Sequence, residues 1–196
     1  MKIVLASSNK HKVQEINEIT KGFCEGIEFI LPPEGFDPIE DGMTFAENSC
    51  IKARAAWEIS KNWVLADDSG LCIDALDGNP GIYSARYAET PALRIERVLN
   101  EMKGVSAEKR GAHFTCAMTL IAPSGDVAYK TEGVCEGSIV ESARGINGFG
   151  YDPIFLVKGG TRTMAELSEE EKNKVSHRFG ALKKVLEYII NNKLYE

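Results

Sequence analysis

The chain has 196 residues, 43% of them hydrophobic and 27% charged, the make-up of an ordinary globular protein rather than a disordered one. That length holds one α/β domain with a substantial core, or two small lobes. A formal net charge of −6 excludes the broad basic face that sequence-independent nucleic-acid binding needs, so a phosphate ligand has to be met by locally gathered cations.

In chain order, residues 2–6 read as a short apolar strand that breaks at Ser7-Ser8-Asn9 into a helix from 10 to about 21. Strand, small polar turn and helix together point backbone N–H groups at a ligand. Residues 28–31 read as a second strand closed by Pro32-Pro33. Thr44 and Glu47 have capping-box spacing, and Ala46, Cys50, Ala53 and Trp57 form one apolar stripe of a helix to about residue 61. Residues 63–66 read as a buried strand ending abruptly at Asp67-Asp68-Ser69-Gly70, and 77–90 as irregular. Leu93, Glu96, Arg97 and Asn100 indicate a helix with mixed faces. Three strand-like pieces follow, 113–122, 127–131 and 134–140; a hairpin turn at Pro123-Ser124-Gly125-Asp126 makes this half antiparallel. A glycine-rich loop over 145–150 precedes a strand at 154–157, and Phe179, Leu182, Leu186 and Ile189 mark a terminal helix. With no repeat, low-complexity tract or linker, residues 1–196 are expected to form a single mixed α/β domain.

Five cysteines never occur as CxxC, and three scattered histidines argue against zinc; Cys50 and Cys116 are expected to be buried, reduced thiols. No apolar stretch reaches membrane-span length and the apolar start is too short for a signal peptide, so no membrane partner and a cytoplasmic location are expected.

Four polar clusters sit where backbone elements begin or end. Ser7-Ser8-Asn9-Lys10-His11-Lys12 puts hydroxyls, an amide and lysines at a helix start, either as a solvated cap or as a grip on an anion. Asp67-Asp68-Ser69-Gly70 sets two carboxylates side by side, an ordinary turn unless a divalent ion such as magnesium relieves their repulsion. Glu40-Asp41-Gly42 either completes that metal site or decorates a loop. Gly148-Phe149-Gly150-Tyr151-Asp152-Pro153 with Ser176-His177-Arg178 offers a ring to stack on a base and polar groups for its edges, against a reading in which Phe149 is core and His177-Arg178 a solvated turn. Neither GxxxxGK[ST] nor GxGxxG nor GxSxG is present, so the site is of another kind.

Taken together and in this order, the clusters resemble the inosine/xanthosine triphosphate pyrophosphatase family. The matching pieces are Ser7-x-Asn9-x-x-Lys12, Glu40-x-Gly42-x-Thr44-Phe45-x-Glu47-Asn48, Asp67-Asp68-Ser69-Gly70-Leu71, the run from Pro80 to Ala88, Gly148 to Pro153, and Ser176-His177-Arg178. Cys72 and Glu89 are peripheral departures. The resemblance implies an α/β fold with two lobes around a long mixed β-sheet, flanking helices and a central nucleotide-binding cleft, and a homodimer. It implies hydrolysis of deaminated purine nucleoside triphosphates (ITP, dITP, XTP) between the α and β phosphates, with Mg2+ as cofactor. On this sequence it implies Asp68 as proton acceptor, Glu40 and Asp68 as magnesium ligands, and substrate contacts from Ser7, Ser8, Asn9, Lys10, His11, Lys12, Ser69, Phe149, Gly150, Tyr151, Asp152, Lys172, His177 and Arg178. The expected base filter is a set of donors, Arg178, His177 or backbone N–H groups, that adenine would leave unpaired. A nucleotide sensor without turnover and a pyrophosphatase for other nucleotides are the competing expectations.

Overall fold

A computed structural model of the chain describes residues 1–7, 10–32 and 35–195. The elements run β1 (Lys2–Leu5), α1 (Lys10–Lys21), β2 (Glu28–Ile30), α2 (Phe45–Ser60), β3 (Val64–Ile73), α3 (Pro91–Glu101), β4 (Gly111–Ile121), β5 (Val127–Ile139), β6 (Phe155–Val157), α4 (Glu169–Val175) and α5 (His177–Asn191), with short 3-10 turns between. The strands form one mixed sheet in the order β2-β1-β3-β4-β5-β6. β1 pairs parallel with β2 and β3, while β5 and β6 are antiparallel. The chain divides into two compact units, Met1–Asp68 with Cys116–Gly133 and Arg178–Glu196, and Ser69–Thr115 with Val134–His177; β3, β4 and β5 each continue from one unit into the other.

In the first unit, β1 and the start of β3 are apolar on both faces, as parallel strands covered on each side require. Ile3, Leu5 and Leu65 join a core with Ile16 and Ile19 of α1 and Ala181, Leu182, Val185, Leu186 and Ile189 of α5. Their neighbours Val4, Ala6, Val64 and Ala66 face the other way, into a core with Ala53 and Ala56 of α2. This period of two decides where the following residues of β3 point. The parallel pairing of β1 and β2 is held by Asn17 of α1, whose side chain accepts from Phe29 N–H and donates to Phe29 C=O, both at 3.0 Å.

The second unit has its own core of Leu71, Ile73, Val98, Met102, Phe114, Ile139, Tyr151, Ile154 and Phe155. Thr90 caps α3 by accepting from Leu93 N–H at 3.2 Å, with Pro91 in the first turn. Arg110 is buried, its guanidinium donating to the carbonyls of Ile139, Met102, Val105 and Val140.

Several sequence expectations are corrected. The pieces at 127–131 and 134–140 are one long strand, β5. Glu47 does not close a capping box on Thr44: Thr44 caps α2 by accepting from Glu47 N–H at 3.1 Å, but the Glu47 carboxylate accepts from Met43 N–H at 2.7 Å. The buried face of α2 is Asn48, Ser49, Lys52, Ala53 and Ala56, not the stripe through Ala46, Cys50 and Trp57, because paired polar groups take the inward positions. Cys50 is accordingly only half-buried, whereas Cys116 is buried. Most consequential, β3 does not end at Asp67 but runs on through Asp67-Asp68-Ser69-Gly70 to Ile73. No helix among the described residues is long and apolar enough to cross a membrane.

Candidate active site

Because Asp67 and Asp68 lie within a strand, their side chains leave on opposite faces, and each meets a different helix. Asp67 follows Leu65 onto the α1–α5 side. It is 1% exposed and accepts from Lys12 Nζ of α1 at 3.1 and 2.9 Å. Arg178 of α5, also buried, lies 3.5 Å from Asp67 Oδ2 and donates to Glu15 Oε2 at 2.7 Å. Burial opposes the ionisation of Asp67, but Lys12, Arg178 and Lys52 outweigh it and hold the carboxyl far below the usual range. The repulsion expected between adjacent aspartates is thus resolved on this side by side-chain cations.

Asp68 follows Ala66 onto the α2 side. Lys52 of α2, 8% exposed, stands between two carboxylates: its Nζ lies 2.9 Å from Glu40 Oε2 and donates to Asp68 Oδ1 at 3.1 Å. Burial would strip the Lys52 charge, yet Asp67, Asp68 and Glu40 keep its pKa above the ordinary value. Burial pushes the Asp68 carboxyl up, Lys52 pulls it down, and Glu40 adds to the rise; the balance is upward. Asp68 Oδ2 is buried with no hydrogen-bond partner.

Among the described residues no group of three or more His, Cys, Asp or Glu side chains is arranged to hold a metal. Two hard carboxylates that share one ammonium, one of them with a buried oxygen lacking a partner, nevertheless fit an oxygen-preferring divalent cation that draws its remaining ligands from phosphate and water.

Ser8 and Asn9, and the side chains of Lys10 and His11, lie outside the described residues. Ser7 is half-buried just after β1, and Lys12 is the residue that ties this segment to Asp67.

The second unit holds the aromatic cluster. Phe149 is 48% exposed, and Lys172 Nζ sits 4.2 Å from its ring centroid. Lys172 also donates to Asp152 Oδ2 at 2.6 Å, and the same oxygen accepts Phe149 N–H at 2.8 Å. Asp152, expected at a base edge, holds Lys172 and the loop through this one oxygen. Gly148 takes φ +72°, and a Cβ there would lie 2.1 Å from Asp152 Oδ2, so the loop closes only with glycine. Gly150 also has positive φ, and Tyr151 is core, its hydroxyl donating to Ser84 C=O at 2.9 Å. His177 stacks on Phe114 with centroids 4.9 Å apart. Ser69 is half-buried on β3.

The profile of the Ham1 family matches residues 3–188. The chain belongs to that family. A relative from Prochlorococcus marinus, named a dITP/XTP pyrophosphatase, is 44% identical over 94% of this chain and 95% of its own length. The protein of that name from Bacillus subtilis is 46% identical over 93% of each. The solved structure of a HAM1 protein from Coxiella burnetii has a TM-score of 0.87 and 42% identity, covering 97% of this chain and 99% of that one. Against this Ham1 background, Lys52 and Glu15 join the candidate site although no motif contains them, and Asn48, which closes the Glu40–Asn48 motif, joins it with no role expected from the sequence. Their signal was positional: Asn48 and Lys52 are one helical turn apart on the alanine-lined face of α2, and Glu15 is three residues beyond Lys12.

Proposed function

We propose that this protein is a magnesium-dependent nucleoside-triphosphate pyrophosphatase that hydrolyses ITP, dITP and XTP to the monophosphate and pyrophosphate, in the cytoplasm and as a homodimer. The convergence of Glu40 and Asp68 on one buried ammonium carries this reading, since it puts two carboxylates within reach of a single cation. The family membership and the names of its relatives support the choice of substrate.

In this reading Glu40 and Asp68 would hold magnesium, which when bound would supply charge neutralisation for the phosphate groups. Asp68 is the group placed to take the proton of the attacking water as the bond between the α-phosphorus and the bridging oxygen breaks. A positioned base of this kind contributes about 10²–10⁴-fold in rate. Lys12, fixed by Asp67, and Lys10 supply positive charge for the triphosphate, and Ser7, Ser8, Asn9, His11 and Ser69 supply polar contacts to it. Half-exposed Phe149, backed by Lys172, offers a face for the base, and the Gly150–Asp152 backbone and His177 its edges. Arg178, already bound to Glu15 and Asp67, acts by holding Asp67 in place.

The test is pyrophosphate release from ITP, XTP, dITP, ATP, GTP and dTTP, with magnesium or with EDTA, for the natural protein and for Asp68→Asn. Release from the first three, lost with EDTA and lost in Asp68→Asn, is expected. Binding without release makes the protein a sensor, and preference for dTTP or ATP removes the base assignment while keeping the phosphate site.

A further inference from the structure

Glu40 lies in a loop and Asp68 on a strand, so some third element has to set the distance between them. Helix α2 does so with two side chains one turn apart. Lys52 contacts both carboxylates, but an ammonium has only donors and cannot accept a backbone N–H. It is also a cation, in the very place where a second cation would compete with it.

Asn48 has no such conflict. It is 1% exposed, and its Oδ1 accepts Gly42 N–H at 2.9 Å, two residues beyond Glu40. Its side chain also neighbours the Asp68 carboxylate, where it favours the charged form. The approach of the loop is tight: a Cβ on Gly42 would lie 2.7 Å from Asn48 Oδ1 and 2.8 Å from Glu47 Cβ. One neutral side chain therefore grips the loop with its oxygen while standing beside the strand carboxylate, whatever charge sits between the carboxylates.

We propose that Asn48 is a positioning residue that fixes the Glu40-Asp41-Gly42 loop to Asp68, so that the two carboxylates are already spaced for a divalent cation before one binds. This rests on the reading of Glu40 and Asp68 as the metal-holding pair. Loss of an outer partner that orients metal ligands typically costs about 10–100-fold in metal affinity.

The experiment compares Asn48→Ala and Gly42→Ala with Ser49→Ala. Ser49 is the adjacent buried residue on α2 and bonds Thr119 Oγ1 at 2.8 Å. Two quantities are read: amide hydrogen exchange of residues 38–43 without metal, and the magnesium concentration giving half-maximal pyrophosphate release from ITP. Asn48→Ala is expected to speed exchange in that segment at least ~10-fold and to raise the magnesium requirement by ~10–100-fold. Gly42→Ala, which pushes the loop off from its own side, is expected to shift both in the same direction, and it tests the idea even if Asn48→Ala does not fold. Ser49→Ala is expected to lower the melting temperature and leave both unchanged. The proposal is overturned if either loop-releasing variant keeps the natural exchange and magnesium requirement, or if Ser49→Ala shifts both as far. Should the natural protein release no pyrophosphate from any nucleotide, the functional reading fails, while exchange alone still decides whether Asn48 holds the loop.

Discussion

Burial alone would raise the pKa of both carboxyls of the Asp67-Asp68 pair; what separates them is the company each keeps. Asp67 has Lys12, Arg178 and Lys52 to stabilise its charge, and stays ionised far below the ordinary range. Asp68 has Lys52 on one side but Glu40 beside it, and is held above the ordinary range. Environments that push two carboxyls apart in this way divide the work between a structural anion and a base. The sign of each shift sets the consequence at neutral pH. A depressed carboxyl contributes stability that is fully present above its unfolded pKa, so Asp67→Asn removes a favourable term and leaves buried cations uncompensated, at a cost of about 3–5 kcal/mol. A raised carboxyl detracts from stability once ionised, so Asp68→Asn is expected to melt at or above the natural protein while losing pyrophosphate release by about 10²-fold or more. Urea unfolding at pH 7 with an activity assay checks both. A destabilised Asp68→Asn beside an unaffected Asp67→Asn would reverse the division of labour drawn here.

At the scale of elements, the difference between expectation and structure is concentrated in β3 and α2. Read as a terminus, Asp67-Asp68 needs an external cation to coexist; read as strand interior, alternation sends one to Lys12 and Arg178 and the other to Lys52. The inward face of α2 escaped notice because hydropathy weighs Asn48 and Lys52 as solvent-facing, whereas each is buried against a partner. α4, the short helix that carries Lys172 to Asp152, was not anticipated at all, although Ser168 and Glu171 form a reciprocal capping box at its start. Arg162 and the Ser168 N–H hold the Glu171 carboxyl down to about 2. Its contribution is therefore present above the unfolded value near ~4.3 and fades as pH falls through about 2. Glu171→Gln is expected to unfold at lower urea than the natural protein at pH 7, with the gap closing as pH approaches that value and shrinking in high salt, since the pair is exposed. A gap independent of pH from 7 to 2 would show that the carboxylate charge does not hold α4.

For the whole molecule, the acidic balance matters most. A chain with a net charge of −6 meets an anionic substrate only where cations are gathered, and Lys12, Lys52, Lys172 and Arg178 each have a carboxylate partner that fixes them in position. Each of the two units carries its own apolar core, and three strands contribute residues to both. The proposed homodimer is expected to sediment at equilibrium with twice the 21.5 kDa mass of the chain at micromolar concentration; a single-chain mass there would remove that part of the proposal.

From residue order alone came the α/β class, most element positions, the hairpin, the loop around Phe149 and the family to which the motifs belong, because periodicity, turn chemistry and motif spacing are local properties written along the chain. The packed structure alone decided that β3 runs on past the aspartates, that Lys52 joins Glu40 to Asp68, and that Glu15 and Arg178 stand behind Asp67. Those facts join residues as far apart as Glu15 and Arg178, and no local pattern encodes which buried charge will find which partner until the strands and helices have closed around them.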